Sequence, residues 1–173
     1  MSIPRLVSAQ PWLLDPPKVW RQVHRCYYAA REFVDGIGTE TGLPHYSRQT
    51  PGAQDFMGSG WTFVLYHESD AGRAVWGVIL NRAPGTEDWR WRCSVFRNES
   101  SFKSSELIRL ATAETYSYWE RRYHGRPAVP LTTEVNASKV RRKRDPGRCF
   151  LRAGWRRVGI TKDKALIVFE APP

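Results

Sequence analysis

Asp145-Pro146-Gly147-Arg148-Cys149-Phe150-Leu151-Arg152-Ala153-Gly154-Trp155-Arg156-Arg157-Val158-Gly159 is the stretch that decides the fold. Pro146-Gly147 opens a short amphipathic helix, Pro being suited to a first helical position. Gly154 supplies the left-handed residue that commonly follows the last helical one, and Trp155 stands directly after it. A strand follows at once. The apolar run Ala165-Leu166-Ile167-Val168-Phe169-Glu170 then closes the chain as a second strand.

Upstream, the apolar pattern gives the elements that feed this tail. Asp15-Pro16-Pro17 reads as a cap and start for a helix over 17–34, in which Trp20, Val23, Tyr27, Ala30 and Val34 recur at three- and four-residue spacing. Gly36 and Gly38 end it. The stretch from Thr39 to Gly60 is rich in Gly, Pro, Thr and Ser and reads as a long loop, a kind of segment that in compact domains usually carries function. Trp61–Tyr66 and Ala74–Leu80 read as strands flanking the hairpin turn Ser69-Asp70-Ala71-Gly72. Trp89–Phe96 is a third strand, and Arg97–Lys103 a connecting segment. Ser104 is the expected N-cap of a helix over 104–120, with Leu107, Leu110, Ala111 and Tyr118 on one face. Leu131–Val135 is the fourth strand. The basic run Lys139-Val140-Arg141-Arg142-Lys143-Arg144 leads into the tail.

This order of helix, long loop, three antiparallel strands, helix, strand, short helix and two strands predicts an α/β (α+β) protein. Its mixed, mostly antiparallel sheet is flanked by helices. The 173 residues are expected to form one domain, with 1–60 as N-terminal helix and loop and 61–170 as core. No apolar run approaches the ~20 residues of a membrane span, and the N-terminus lacks the layout of a secretory signal. Three cysteines without CxxC spacing argue against a disulfide framework and a structural zinc site, so a reducing cytoplasm is the expected location. A net charge of +10, carried more by Arg than by Lys, favours polyanionic partners.

The succession from Trp91 to Phe96, through the helix beginning near Ser105, to the Pro146–Trp155 tail and its strands resembles the GNAT superfamily of acyltransferases over residues 61–170. That resemblance implies acyl transfer from acetyl-CoA or another acyl-CoA to an amine. It places the donor against Val95 and Phe96, with its pyrophosphate on Asn98, Ser101, Lys103, Ser104 and Ser105 at the helix N-terminus, where unpaired amides favour an anion. Asn136 is similar to the asparagine that many members set against the pantetheine arm, although an Asx-turn closing the strand explains an Asn there equally well. Two departures stand out. The usual Arg/Gln-x-x-Gly-x-Gly/Ala phosphate loop is replaced by Asn98-Glu99-Ser100-Ser101-Phe102-Lys103-Ser104-Ser105. The tyrosine often found in the last short helix is replaced by Phe150, which has no proton to donate.

His45-Tyr46-Ser47, Phe96-Arg97-Asn98-Glu99 and Pro146–Trp155 together are similar to the Mom-type, phage and prophage branch of this superfamily, which modifies the exocyclic amine of adenine in DNA to evade restriction. That resemblance implies a DNA substrate and a phage-infected or prophage-carrying bacterial host. Read from the residues, His45, Tyr46, Glu99 and Glu134 are the candidates for base, orienting group or ligand. His45 with Glu99 has the chemistry of a Zn or Fe site, though nothing in the spacing requires a metal. Lys139, Arg141, Arg142, Lys143, Arg144 and Arg148 form the candidate phosphate-binding segment. Trp61, Trp89 and Trp91 are candidates to stack an extruded base, with core packing as the plain alternative. An N-acyltransferase of small amines, aminoacyl groups or proteins, and a non-catalytic nucleic-acid-binding scaffold, are the rival readings.

Overall fold

A computed structural model describes residues 19–140 and 145–173. A seven-stranded sheet is built from β1 (Arg21–Val23), β2 (Trp61–Ser69), β3 (Gly72–Arg82), β4 (Trp89–Ser100), β5 (Leu131–Val135), β6 (Arg156–Ile160) and β7 (Ile167–Glu170) in the order β1-β2-β3-β4-β5-β7-β6. Among the described residues three helices accompany it: α1 (Tyr28–Val34), α2 (Ser104–Tyr123) and α3 (Arg148–Arg152). Every strand pairing is antiparallel except that of β4 with β5. The protein is thus a mixed α+β domain in the class expected.

The parallel pairing is short. It joins Trp91, Arg92 and Cys93 to Leu131, Thr132 and Thr133, and there it stops. At the same point β4 carries a bulge: Gly77 faces Val95 and Val78 faces Cys93, leaving Ser94 as the extra residue. A bulge bends its strand and raises the local twist, so β4 and β5 part company beyond Cys93. They leave an opening in the sheet, where no β4–β5 pairing continues.

Each face of the sheet has its own core. Against one lie α2 and α3, with Trp76, Leu107, Ile108, Trp119, Leu131 and Phe169 among the buried side chains. Two indoles there are satisfied by threonines of α2: Trp76 Nε1 donates to Thr115 Oγ1 at 3.0 Å and Trp155 Nε1 to Thr112 Oγ1 at 3.2 Å. The other face buries Ala30, Phe33 and Val34 of α1 against Val64, Tyr66, Val75 and Val95.

The expected helix over 17–34 is corrected by this division. Residues 17 and 18 lie outside the described residues, Arg21–Val23 pairs with the β2 edge as a strand, and only Tyr28–Val34 is helical. Trp20 belongs to the core under α2, where its Nε1 bonds Leu107 O, whereas Ala30, Phe33 and Val34 belong to the opposite core. One helix cannot serve both faces of a sheet.

A second correction concerns Arg97–Ser100, which continues β4 by pairing with Gly72–Val75. The third concerns α2, whose N-cap is Lys103; the Ser104 hydroxyl instead accepts from Asn98 Nδ2. The helix also runs on to Tyr123, where His124 stops it in a left-handed conformation.

The tail folds as its sequence indicates, apart from the helix starting at Arg148 and not at Pro146. Gly154 N–H donates to Leu151 O and Trp155 N–H to Phe150 O, the two bonds of a Schellman stop. The Phe150 and Trp155 rings pack at 5.1 Å to close it. Gly147 is also left-handed, and a Cβ there would come within 2.3 Å of the buried Phe169 ring. At Gly154 a Cβ would meet nothing within 4 Å. Alanine at Gly154 is therefore expected to cost only the backbone term, about 1 kcal/mol, and alanine at Gly147 roughly 2–4 kcal/mol, adding overpacking against Phe169. Denaturant unfolding of the two variants checks the contrast.

Candidate functional site

Past the bulge, the β4 backbone no longer meets β5. The long loop supplies partners instead. His45 N–H donates to Val34 O at 2.8 Å, which fixes the loop to the end of α1. The His45 ring bonds the backbone of Phe96 on β4, and the Tyr46 hydroxyl donates to Glu134 O on β5 at 3.0 Å. Adjacent residues thus reach both arms of the opening, their rings stacked 4.4 Å apart.

Their chemistry follows from that placement. Burial holds the His45 imidazole down to about 4, with the Arg97 charge acting the same way and the Phe96 backbone bond opposing. Ser47 N–H donates to His45 Nδ1 at 3.2 Å, so we assign the ring proton to Nε2. His45 is a neutral, doubly engaged imidazole at neutral pH, stacked on the Tyr46 ring. Tyr46 leaves 43% of its surface open, and its hydroxyl is held on the β5 backbone at Glu134 O. Burial, reinforced by the nearby Cys93, pushes the phenol well above its usual range, so it remains protonated. Cys93 is itself buried at the base of the opening, its thiol pushed up by desolvation. Cys149 of α3 lies within electrostatic reach of the same hydroxyl.

The remaining candidates divide between this opening and its surroundings. Glu134 belongs to it: its side chain is half-buried, 3.9 Å from Arg92 Nη1. Arg92 Nε is buried with no hydrogen-bond partner among the described residues. Glu99 does not join them. Its carboxylate takes Arg97 Nε at 2.9 Å and Nη2 at 2.7 Å, and accepts from Glu40 N–H at 3.1 Å. Glu99 is therefore occupied in tying the loop to β4.

Sequence reasoning missed Arg97, which also donates to Phe33 O and Leu43 O and lies over the Phe33 ring. The available signal was the alternation Arg97-Asn98-Glu99, which sets opposite charges on one face of a strand.

On the other side of the opening, Asn98 organises the approach to α2. Its Nδ2 donates to Phe102 O at 2.9 Å and to Ser104 Oγ at 3.1 Å, while Oδ1 accepts from Ser100. Ser101 N–H is used by Ala71 O, and Lys103 points outward, 3.8 Å from Glu106. Asn136 closes β5 as an Asx-turn, Oδ1 accepting from Ser138 N–H at 3.1 Å and Oγ–H at 2.7 Å. Val95 and Phe96 are core residues, one on each face, which present their backbone to the opening. Lys139 and Arg148 are exposed; Arg141, Arg142, Lys143 and Arg144 lie outside the described residues.

Among the described residues no three His, Cys, Asp or Glu side chains come together to hold a metal ion, and no helix is long and apolar enough to cross a membrane. No family model, curated protein or solved structure matches the chain.

The depressed His45 pKa has a stability consequence. In the unfolded chain the imidazole titrates near 6.5 and in the fold near 4, so the unfolded state binds more protons between these values. Stability contributed by neutral His45 is present above pH 6.5 and is lost as the pH falls toward 4. His45→Gln lacks this component, so the parent should lose more stability than the variant between pH 7 and pH 4, by up to about 3 kcal/mol. Chemical denaturation at the two pH values measures it.

Proposed function

We propose that the protein is a GNAT-type transferase that moves an acyl-like group from a thioester donor to the exocyclic amine of a DNA base, adenine being the expected one. The observation that carries this is the opening between β4 and β5 at the Ser94 bulge, with the neutral, protonated Tyr46 hydroxyl inside it. The strand order, with its one parallel pair splayed next to the start of α2, supports the same reading.

The residues present fit an acyl-CoA donor in four respects. Strand edges beyond the bulge can receive an amide-bearing arm. The first turn of the 20-residue helix α2 brings N–H groups and a positive dipole end to its phosphates. Glu99, which would repel those phosphates, is neutralised by Arg97. A web of Asn98, Ser100 and Ser104 side chains shapes the approach in place of glycines. A bound acyl thioester supplies an electrophilic carbonyl and a thiolate leaving group.

Tyr46 Oη holds the proton that the departing sulfur needs, the task for which Phe150 is unfit. Phe150 is instead packed between Trp155, Phe96 and Phe169. The Glu134 carboxylate takes the proton that the attacking amine loses, with Arg92 Nη1 3.9 Å from it. The net charge of +10 and the exposed Lys139 and Arg148 that bracket the basic run support a polyanionic acceptor.

Expression in a bacterial host, followed by nucleoside mass analysis of its DNA, tests the proposal. The parent should yield a mass-shifted deoxynucleoside, and Tyr46→Phe should lower it about 100-fold or more with the fold retained. Parental modification by Tyr46→Phe would overturn its assignment as the acid. Unmodified DNA alongside acylated small amines or peptides would move the acceptor class, and no product at all would leave a binding scaffold.

A further inference from the structure

A second concavity lies at the opposite end of the sheet, where β4 begins and α2 ends. It measures about 480 Å³ and is walled by Trp61, Trp89, Trp119, Tyr123 and the turn Gly125–Val129. Its lining is mainly apolar, and around it stand three arginines and two glutamates, a net positive balance of one. Trp61 and Trp89 face each other at 5.4 Å, tilted by 47°, and leave 49% and 39% of their surfaces exposed. Large indoles left open in this way mark a contact surface more often than a packing leftover.

The cations around it lie flat on rings: Arg82 over Trp89 at 5.2 Å, Arg122 over Tyr123 at 5.4 Å and Arg126 over Tyr116 at 3.9 Å. The two nearby carboxylates are neutralised, Glu87 by Arg82 and Glu120 by Arg126. Aromatic faces inside a positive rim are what unpaired bases and their phosphates require together.

We infer that this pocket binds an unstacked nucleobase of single-stranded nucleic acid, as a holding site separate from the β4–β5 opening. Separation follows from the strand itself. Trp89 precedes Cys93, the last paired residue, by four positions on β4, which at ~3.3 Å per residue is roughly 13 Å. The Tyr46 hydroxyl lies beyond that point, so a base stacked on Trp61 and Trp89 cannot be the one that reacts. It is a neighbour on the same strand, held while another base occupies the opening. Trp91, by contrast, is buried against Trp119 and Tyr116 and takes no part. The inference shares with the proposed function only the polymer, and none of the chemistry.

Fluorescence anisotropy of the full chain with labelled oligonucleotides tests it, in the absence of any acyl donor. Two strands of about 12 nucleotides are compared, one of thymidylates and one of abasic spacers with the same phosphates. The parent should bind the base-bearing strand about 10-fold more tightly. Trp61→Ala and Trp89→Ala should erase that preference while leaving abasic binding unchanged, and Trp61→Phe should restore most of it. Equal binding of both strands by the parent overturns the proposal, and needs no variant to fold. So would sedimentation showing parental self-association that Trp61→Ala abolishes, since the surface would then be an interface between copies. Modification of DNA, measured separately, can succeed or fail without altering either outcome.

Discussion

The Ser94 bulge in β4 is the constraint from which the rest of the site follows. One extra residue ends the only parallel pairing described in the sheet and turns the outer edge of β4 away from β5. Gly77 stands opposite, where a Cβ would lie 2.5 Å from Met57 Sδ and 2.6 Å from Val95 Cγ1. Backbone groups exposed by the divergence need partners, because an unpaired buried amide or carbonyl is costly. His45 and Tyr46 supply some of them and thereby enter the opening. The loop that carries them is held by Arg97, whose guanidinium bonds Glu99, Phe33 O and Leu43 O at once. Sheet geometry and site chemistry have one origin.

Electrostatics at the opening favours groups that keep their protons in a fixed state. Burial keeps His45 neutral and Tyr46 and Cys93 protonated. The site therefore offers one phenol that holds its proton and one carboxylate with a cation beside it, Glu134. That division of labour suits a reaction in which one sulfur gains a proton while one nitrogen loses one. In the proposed function the net charge of +10 has a different purpose, attracting and orienting a polyanion without reading its sequence.

Much of this was legible from local signals. The Gly154-Trp155 stop and the Ser69–Gly72 hairpin depend on contacts within a few residues, and the structure keeps them. Of the expected α2 stripe Leu107 and Ala111 are buried, whereas Leu110 is exposed and Ile108, Thr112, Thr115 and Trp119 complete the buried face. The expected 17–34 helix failed because its apolar stripe joins Trp20 to Ala30 and Val34, which the fold sends to opposite faces. Arg97–Ser100 reads as a polar connector, yet it is strand, since its backbone pairs with Gly72–Val75 and Arg97 meets Leu43 O, 54 residues away. Within the site, His45, Tyr46, Glu134 and Asn136 were visible and do come together. Glu99 was visible but has another task, and Arg97 and Arg92 acquire meaning only once β4 is placed between the loop and β5.

Amide-resolved NMR during titration with acetyl-CoA tests most directly whether the bulge creates a donor site. The largest shifts are predicted at Val95–Arg97, Glu134–Asn136 and Ser104–Ser105, with the aromatic pocket around Trp61 and Trp89 unmoved. Saturating acetyl-CoA that leaves all three segments unshifted, or shifts only residues elsewhere, would contradict the account.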